Sequence, residues 1–313
     1  MKNSTQIFLL AALGFFVFND SFAQQIPTRS NYLLSSFLDH PAAAGNRECL
    51  DMRLGHRNQW VGFADSPTNS FISLTGRLSE SPRSVSGVGA RVETDEAGPW
   101  GTTSFSLAYS HKLKLTSGGW LSGGVALGMA QHRLNTGALD FPDIEASGDP
   151  AVAGSAQFLF PTVDAGLWYQ DKRSFGGFSV VNATAPVLSA ITLGSLTSRH
   201  FVATLGTSLE LDGLFMFRPS VNMRVASGLP PCFEMNGAMV YDDQIVIGLG
   251  YRNQTAIIGS FQIALFDYMK VGYSYDFGIS DIRVASTSSH EITIALSACD
   301  TSTPRAYQCP AYD

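Results

Sequence analysis

Four consecutive segments between Cys232 and Phe277 alternate their side chains so regularly that an antiparallel β-meander is the one regular structure that accommodates them. In the last of the four, Met269, Val271, Tyr273, Tyr275 and Phe277 share one parity and Lys270, Gly272, Ser274 and Asp276 the other. Successive strand side chains point to opposite faces, so parity reports the face. Ile245, Ile247, Leu249 and Tyr251 oppose Gln244, Gly248 and Gly250 in the same way, and Ile257, Phe261, Ile263 and Leu265 oppose Ala256, Ser260 and Gln262. A soluble sandwich would turn its apolar face inward and show water a face rich in charge. Here the second face is mostly Gly, Ala, Ser, Gln and Asn. A large apolar face tipped with Tyr, opposite a small and polar one, is the pattern of a transmembrane barrel with lipid outside and a wet or filled lumen inside.

The rest of the chain extends this pattern. Leu50, Met52 and Leu54 oppose Asp51, Arg53 and Arg57; Ile72, Leu74 and Leu78 oppose Ser73, Thr75 and Arg77; Phe105, Leu107, Tyr109 and Leu113 oppose Ser104, Ser106, Ser110 and Lys112. Continuing to Ile292, Ile294 and Leu296 gives an all-β transmembrane antiparallel barrel of about fourteen strands, within the range of single-chain bacterial barrels. Short connections, such as Asp242-Asp243 and Phe266-Asp267, alternate with a set that holds the long ones: Trp60 to Thr68, Asn135 to Pro161, Asn182 to Ser198 and Gly278 to Ser289. Short periplasmic turns and longer extracellular loops produce that sorting.

Composition agrees. Charged residues make up 15% of the 313, against about 25% in ordinary soluble domains, and past the amino terminus no apolar run reaches the roughly 18 residues that mark a spanning helix. Residues 1–23 read as a signal peptide: Lys2, an apolar Ile7 to Phe18, and Ser21-Phe22-Ala23 before Gln24. That reading implies export to the bacterial outer membrane. The domain plan is then a periplasmic or lumenal segment over 24–47, a barrel over 48–298 and a periplasmic tail over 299–313. The tail breaks alternation and carries Pro304 and Pro310, which lack the ladder donor. A net charge of −6 sets nucleic acid aside, since it demands basic patches. Of the four cysteines, Cys299 and Cys309 are near enough in sequence to close a loop in an oxidising compartment, whereas Cys49 and Cys232 have no obvious mate.

Candidate sites are weighed against plainer roles. The six His show no metal-ligand spacing, no nucleophile elbow is readable, and neither a catalytic residue nor a cofactor is expected. Asp140, Asp143, Glu145 and Asp149 sit in a long loop without calcium-loop spacing, so a solvated surface is the plainer role. Arg53, Arg91, Arg218 and Arg224 share lumen parity with Glu93, Glu234 and Asp276; pairing across the lumen explains them, and a selectivity constriction is the sharper alternative. Trp100, Tyr109 and Tyr273 fall near strand ends, where interfacial anchoring accounts for them.

Asn31-Tyr32, His40-Pro41-Ala42 and Arg57-Asn58-Gln59-Trp60-Val61-Gly62-Phe63 open a series of short motifs. Gly98-Pro99, Asp149-Pro150-Ala151, Arg199-His200, Arg218-Pro219-Ser220, Gly272-Tyr273-Ser274-Tyr275-Asp276, Ser289-His290-Glu291-Ile292 and Cys309-Pro310 continue it. In order and spacing the series resembles the PorP/SprF family of type IX secretion and gliding-motility membrane proteins. It departs at Ala42-Ala43-Ala44, where the family often carries an aromatic, and at the acidic end. The resemblance implies a non-enzymatic scaffold set in outer-membrane lipid that contacts periplasmic ring lipoproteins or a secreted adhesin. A solute channel is the alternative. Arg57, Asn58, Gln59 and Trp60, expected at the outer rim with aromatics able to fold into the lumen, and Cys309 and Pro310 in the tail, are the expected contact residues.

Overall fold

Among the described residues every strand hydrogen-bonds to two others, so the sheet they form has no free edge. The structure, a computed structural model, describes residues 27–62, 64–135, 156–185, 198–226, 229–284, 286 and 288–298. They form a closed antiparallel barrel of fourteen strands. The first seven are β1 (Leu50–Asn58), β2 (Thr68–Glu80), β3 (Ser84–Ala97), β4 (Trp100–Lys114), β5 (Trp120–Leu134), β6 (Ala156–Gln170) and β7 (Ser174–Val181). β8 is His200–Thr207, resumed beyond Ser208 as Leu209–Glu210, and both pieces pair with the same neighbour. Then come β9 (Phe215–Ala226), β10 (Cys232–Tyr241), β11 (Ile245–Arg252), β12 (Ala256–Phe266), β13 (Met269–Gly278) and β14 (Ser288–Ala298). Each strand pairs with the next, and β1 closes on β14 from Leu50↔Ala298 to Asn58↔His290. In hydrocarbon every backbone polar group must find a partner within the protein, and closure achieves this.

The two faces differ as parity predicts. Leu249 is 71% exposed and Tyr273, Tyr275 and Phe277 also stand outward, whereas Ser274 is 0% exposed and Asp276 is buried. Trp100 and Tyr109 are exposed on the outside. Turns at 81–83, 115–119, 171–173, 242–244 and 267–268 mark the periplasmic end, and the longer loops the outer end.

The inner face departs from a uniformly small and polar surface, for Phe71, Phe160, Trp168 and Phe175 are buried inside it. They have something to pack on. Residues 27–47, expected at the periplasmic mouth or within the lumen, lie in the lumen. Pro27 and Thr28 stand at the outer mouth beside Gln59, Trp60 and Asn253. The segment then passes through the one-turn helix α1 (Ser36–Asp39) and a 3-10 turn (Pro41–Ala43). It reaches the periplasmic end where Arg77 Nε donates to the Gly45 carbonyl at 3.3 Å.

Two expectations are corrected. β6 starts at Ala156, inside the connection expected to run from Asn135 to Pro161, because Phe158 and Leu159 are both exposed in sequence, which erases the parity signal there. Cys49, expected to lack a mate, is disulfide-bonded, and Cys232 is a free thiol. Cys299, Cys309 and Pro310, the signal peptide and the Asp140–Asp149 cluster lie outside the described residues.

The lipid assignment predicts a sharp contrast between two exposed positions. Leu249→Arg, on the outer face of β11, should lower stability by about 2–4 kcal/mol, measured by urea titration of the heat-modifiable form in lipid. Val284→Arg, 91% exposed in an outer loop, should leave the midpoint unchanged. Equal midpoints for the two variants would contradict a lipid-facing Leu249.

Candidate functional site: the plugged lumen and its outer mouth

The plug is anchored first at Ser30, where wall and plug chemistry meet. Its hydroxyl donates to Asp276, lying 2.7 Å from Oδ1 and 2.9 Å from Oδ2, and accepts from Arg57 Nη1 at 3.0 Å and Arg252 Nη2 at 2.7 Å. One donor and two acceptor sites are thus all used. Glu291 on β14 takes the backbone N–H of Ser30 at 2.7 Å and that of Asn31 at 3.1 Å. The charged groups also bind one another: Arg57 to Asp276 at 2.7 Å and Glu291 at 3.3 Å, Arg252 to Asp276 at 2.7 Å and Glu234 at 2.6 Å. All five charges are buried. Buried ions persist when paired and hydrogen-bonded, and charge-assisted bonds of this kind are the strong ones.

A second cluster centres on Asp39 of α1, which bridges the plug's own Arg29 at 2.5 Å and Arg224 of β9 at 2.7 Å. Arg29 reaches on to Glu93 of β3 at 2.6 Å, and Arg224 donates to the Pro27 carbonyl at 2.7 Å. Arg91 bonds the Leu38 carbonyl and Asp164. Of the charges expected to pair across the lumen, Glu93, Arg91 and Arg224 are therefore satisfied through the plug or beside it. Arg53 pairs with Asp51 on its own strand at 2.8 Å.

Farther in, the contacts become apolar and backbone-directed. His40 is fully buried, its two ring nitrogens 2.8 Å from Ser179 Oγ and Thr204 Oγ1 and its ring 5.3 Å from that of Trp168. Ala42 and Ala43 pack on Trp168 and Phe175. Ser122 and Ser110 donate to the carbonyls of Ala42 and Ala44, each at 2.7 Å. The wall must be bare where this backbone passes. A Cβ on Gly124 would fall 2.4 Å from Ala42 N, and one on Gly87 2.3 Å from the Ala44 carbonyl. The Ala42-Ala43-Ala44 departure thus sits where bulk is least tolerated.

The expected contact residues divide. Arg57 points inward and is an anchor of the plug. Asn58 ends β1 and accepts from Ser66 at 3.2 Å. Gln59 and Trp60 line an outer vestibule of about 530 Å³ with Pro27, Thr28, Pro230 and Pro231. Trp60, at φ 56°, turns the chain there, its N–H donating to Ser289 Oγ at 3.0 Å. Ser30, Asp39 and Glu291 were missed as site residues. The legible signal was an excess of charge at lumen parity. Among the described residues, no group of His, Cys, Asp and Glu is placed to hold a metal ion.

Residues 21–296 match the family model of the type IX secretion system membrane protein PorP/SprF. No curated protein matches the sequence. Among solved structures, the CymD monoaromatic hydrocarbon channel is similar at a TM-score of 0.49 and 13% identity, over 87% of this chain and 94% of that one. A FadL homologue from Pseudomonas aeruginosa gives 0.48 and 11%, over 84% and 93%. The translocator domain of the autotransporter NalP from Neisseria meningitidis gives 0.41 and 11%, over 95% and 98%.

Removing one partner of a buried charge cluster costs about 3–5 kcal/mol. Glu291→Ala, which takes one of two carboxylate partners from Arg57 and strands two backbone N–H groups, should lose that much in thermal or urea unfolding of the heat-modifiable form. Glu291→Gln, keeping one acceptor oxygen, should lose less. Indistinguishable midpoints for wild type and Glu291→Ala would show that the plug is not held there.

Proposed function

Because the chain belongs to the PorP/SprF family of type IX secretion system membrane proteins and is an outer-membrane β-barrel, we propose that it works without catalysis, as a scaffold or attachment partner in type IX secretion or gliding motility. The observation that carries this reading is the filled lumen. Residues 27–47 cross it, fixed by Ser30, Asp39 and the Ala42–Ala44 backbone, so a partner is met at the two mouths and not conducted between them. Periplasmic ring lipoproteins or a secreted adhesin are the partners in question. The outer mouth offers Gln59 and Trp60, while Cys309 and Pro310, the other expected contact residues, lie outside the described residues. Export by the signal peptide over 1–23 belongs to the same reading.

A solute channel is the competing function, and conductance separates the two. The wild-type barrel in a planar bilayer should be silent. Gly124→Val, which drives a side chain into the Ala42 backbone, should open a steady conductance while remaining heat-modifiable. Steady wild-type conductance would favour the channel. For the attachment role, deletion of residues 301–313 should leave the barrel in the outer membrane and abolish co-purification of secretion components. Undiminished capture would move the contact to the periplasmic turns.

A further inference from the structure

We infer that the chain enters the lumen from the cell-surface side, so that Pro27 and Thr28, the first described residues, stand at the outer mouth within reach of a partner outside the cell. This goes beyond the scaffold reading and does not rest on it. Chain direction inside the barrel is fixed by contacts at several depths. Pro27 and Thr28 line the outer vestibule with Gln59, Trp60 and Asn253. Ser30 and Asn31 bond Arg57, Arg252, Asp276 and Glu291, which lie near the outer ends of β1, β11, β13 and β14. Gly45 and Arg47 sit at the opposite end, against Arg77 of β2 and, through Ser297 at 3.1 Å, the last turn of β14. The segment therefore runs inward from the surface, antiparallel to β1, which carries the chain back out.

A plug tethered at its periplasmic end and open at its outer end has one way to leave. The peptide link from Arg47 into β1 holds its inner end, so displacement begins at Pro27 and Thr28 and must break the Ser30 contacts first. A surface partner that seats in the vestibule would touch the leading residues of the plug together with Gln59 and Trp60.

Cysteine accessibility on whole cells tests the direction directly. In a Cys232→Ser background, Thr28→Cys, with Pro27→Cys as a second variant should the first assemble poorly, is exposed to a membrane-impermeant maleimide. Gln254→Cys in an outer turn and Asp243→Cys in a periplasmic turn are the references, and heat-modifiability confirms assembly. Thr28→Cys should label on intact cells to the level of Gln254→Cys, with Asp243→Cys labelling only after permeabilisation. If Thr28→Cys labels only after permeabilisation, or at neither stage in an assembled barrel, the inward direction is wrong. Conductance plays no part in this readout, so its failure is distinct from failure of the scaffold role.

Discussion

Buried charge on the inner wall is the constraint from which the rest of the structure follows. Arg57, Arg252, Glu234, Asp276 and Glu291 stand on five strands and point into the lumen, where an empty pore would leave them to water. The plug completes them. Ser30 supplies a hydroxyl that uses all its bonding capacity, and two consecutive backbone N–H groups occupy Glu291. Five ions and one serine thus fix the height of a peptide inside the barrel. The same ions, left without the plug, would bear the cost of incomplete pairing.

Shape finishes what charge begins. Below the ion clusters, the wall presents Gly87 and Gly124 against the plug backbone, Ser110 and Ser122 against its carbonyls, and Trp168 and Phe175 against His40 and the alanines. A small-and-polar inner face reads, in isolation, as a wet pore. Here it is the negative of a peptide, small because a backbone lies on it. That reversal changes the functional expectation from conduction to occlusion.

The barrel itself was largely legible. Period-two alternation from Met269 to Phe277 and its repeats fixed the faces, and the sorting of connections fixed the ends, because lipid and lumen impose opposite chemistry on neighbouring residues. What escaped notice has physical reasons. The plug has no period, since its contacts come from whichever wall residue it passes. Arg57 sits in a motif whose aromatic neighbours suggested a rim, yet strand parity turns it inward. β6 begins with exposed Phe158 and Leu159 side by side, which masks the strand. Inward aromatics such as Trp168 contradict a uniformly small inner face until the plug that they pack on is known.

The chain belongs to a family of type IX secretion system membrane proteins, and the proposed scaffold role makes the two mouths of the filled lumen its working surfaces. Everything in that account depends on residues 27–47 being held in the lumen by the Ser30 and Asp39 clusters. Hydrogen exchange of the native protein in lipid, read by mass spectrometry on peptides spanning 27–47, tests this most directly, since protection reports the free energy of local opening. The amides of Ser30 and Asn31 should be protected to the extent of the β13 and β14 amides beside them. Exchange as fast as that of the outer turn at 253–255 would mean an unfastened plug, and the account would fail.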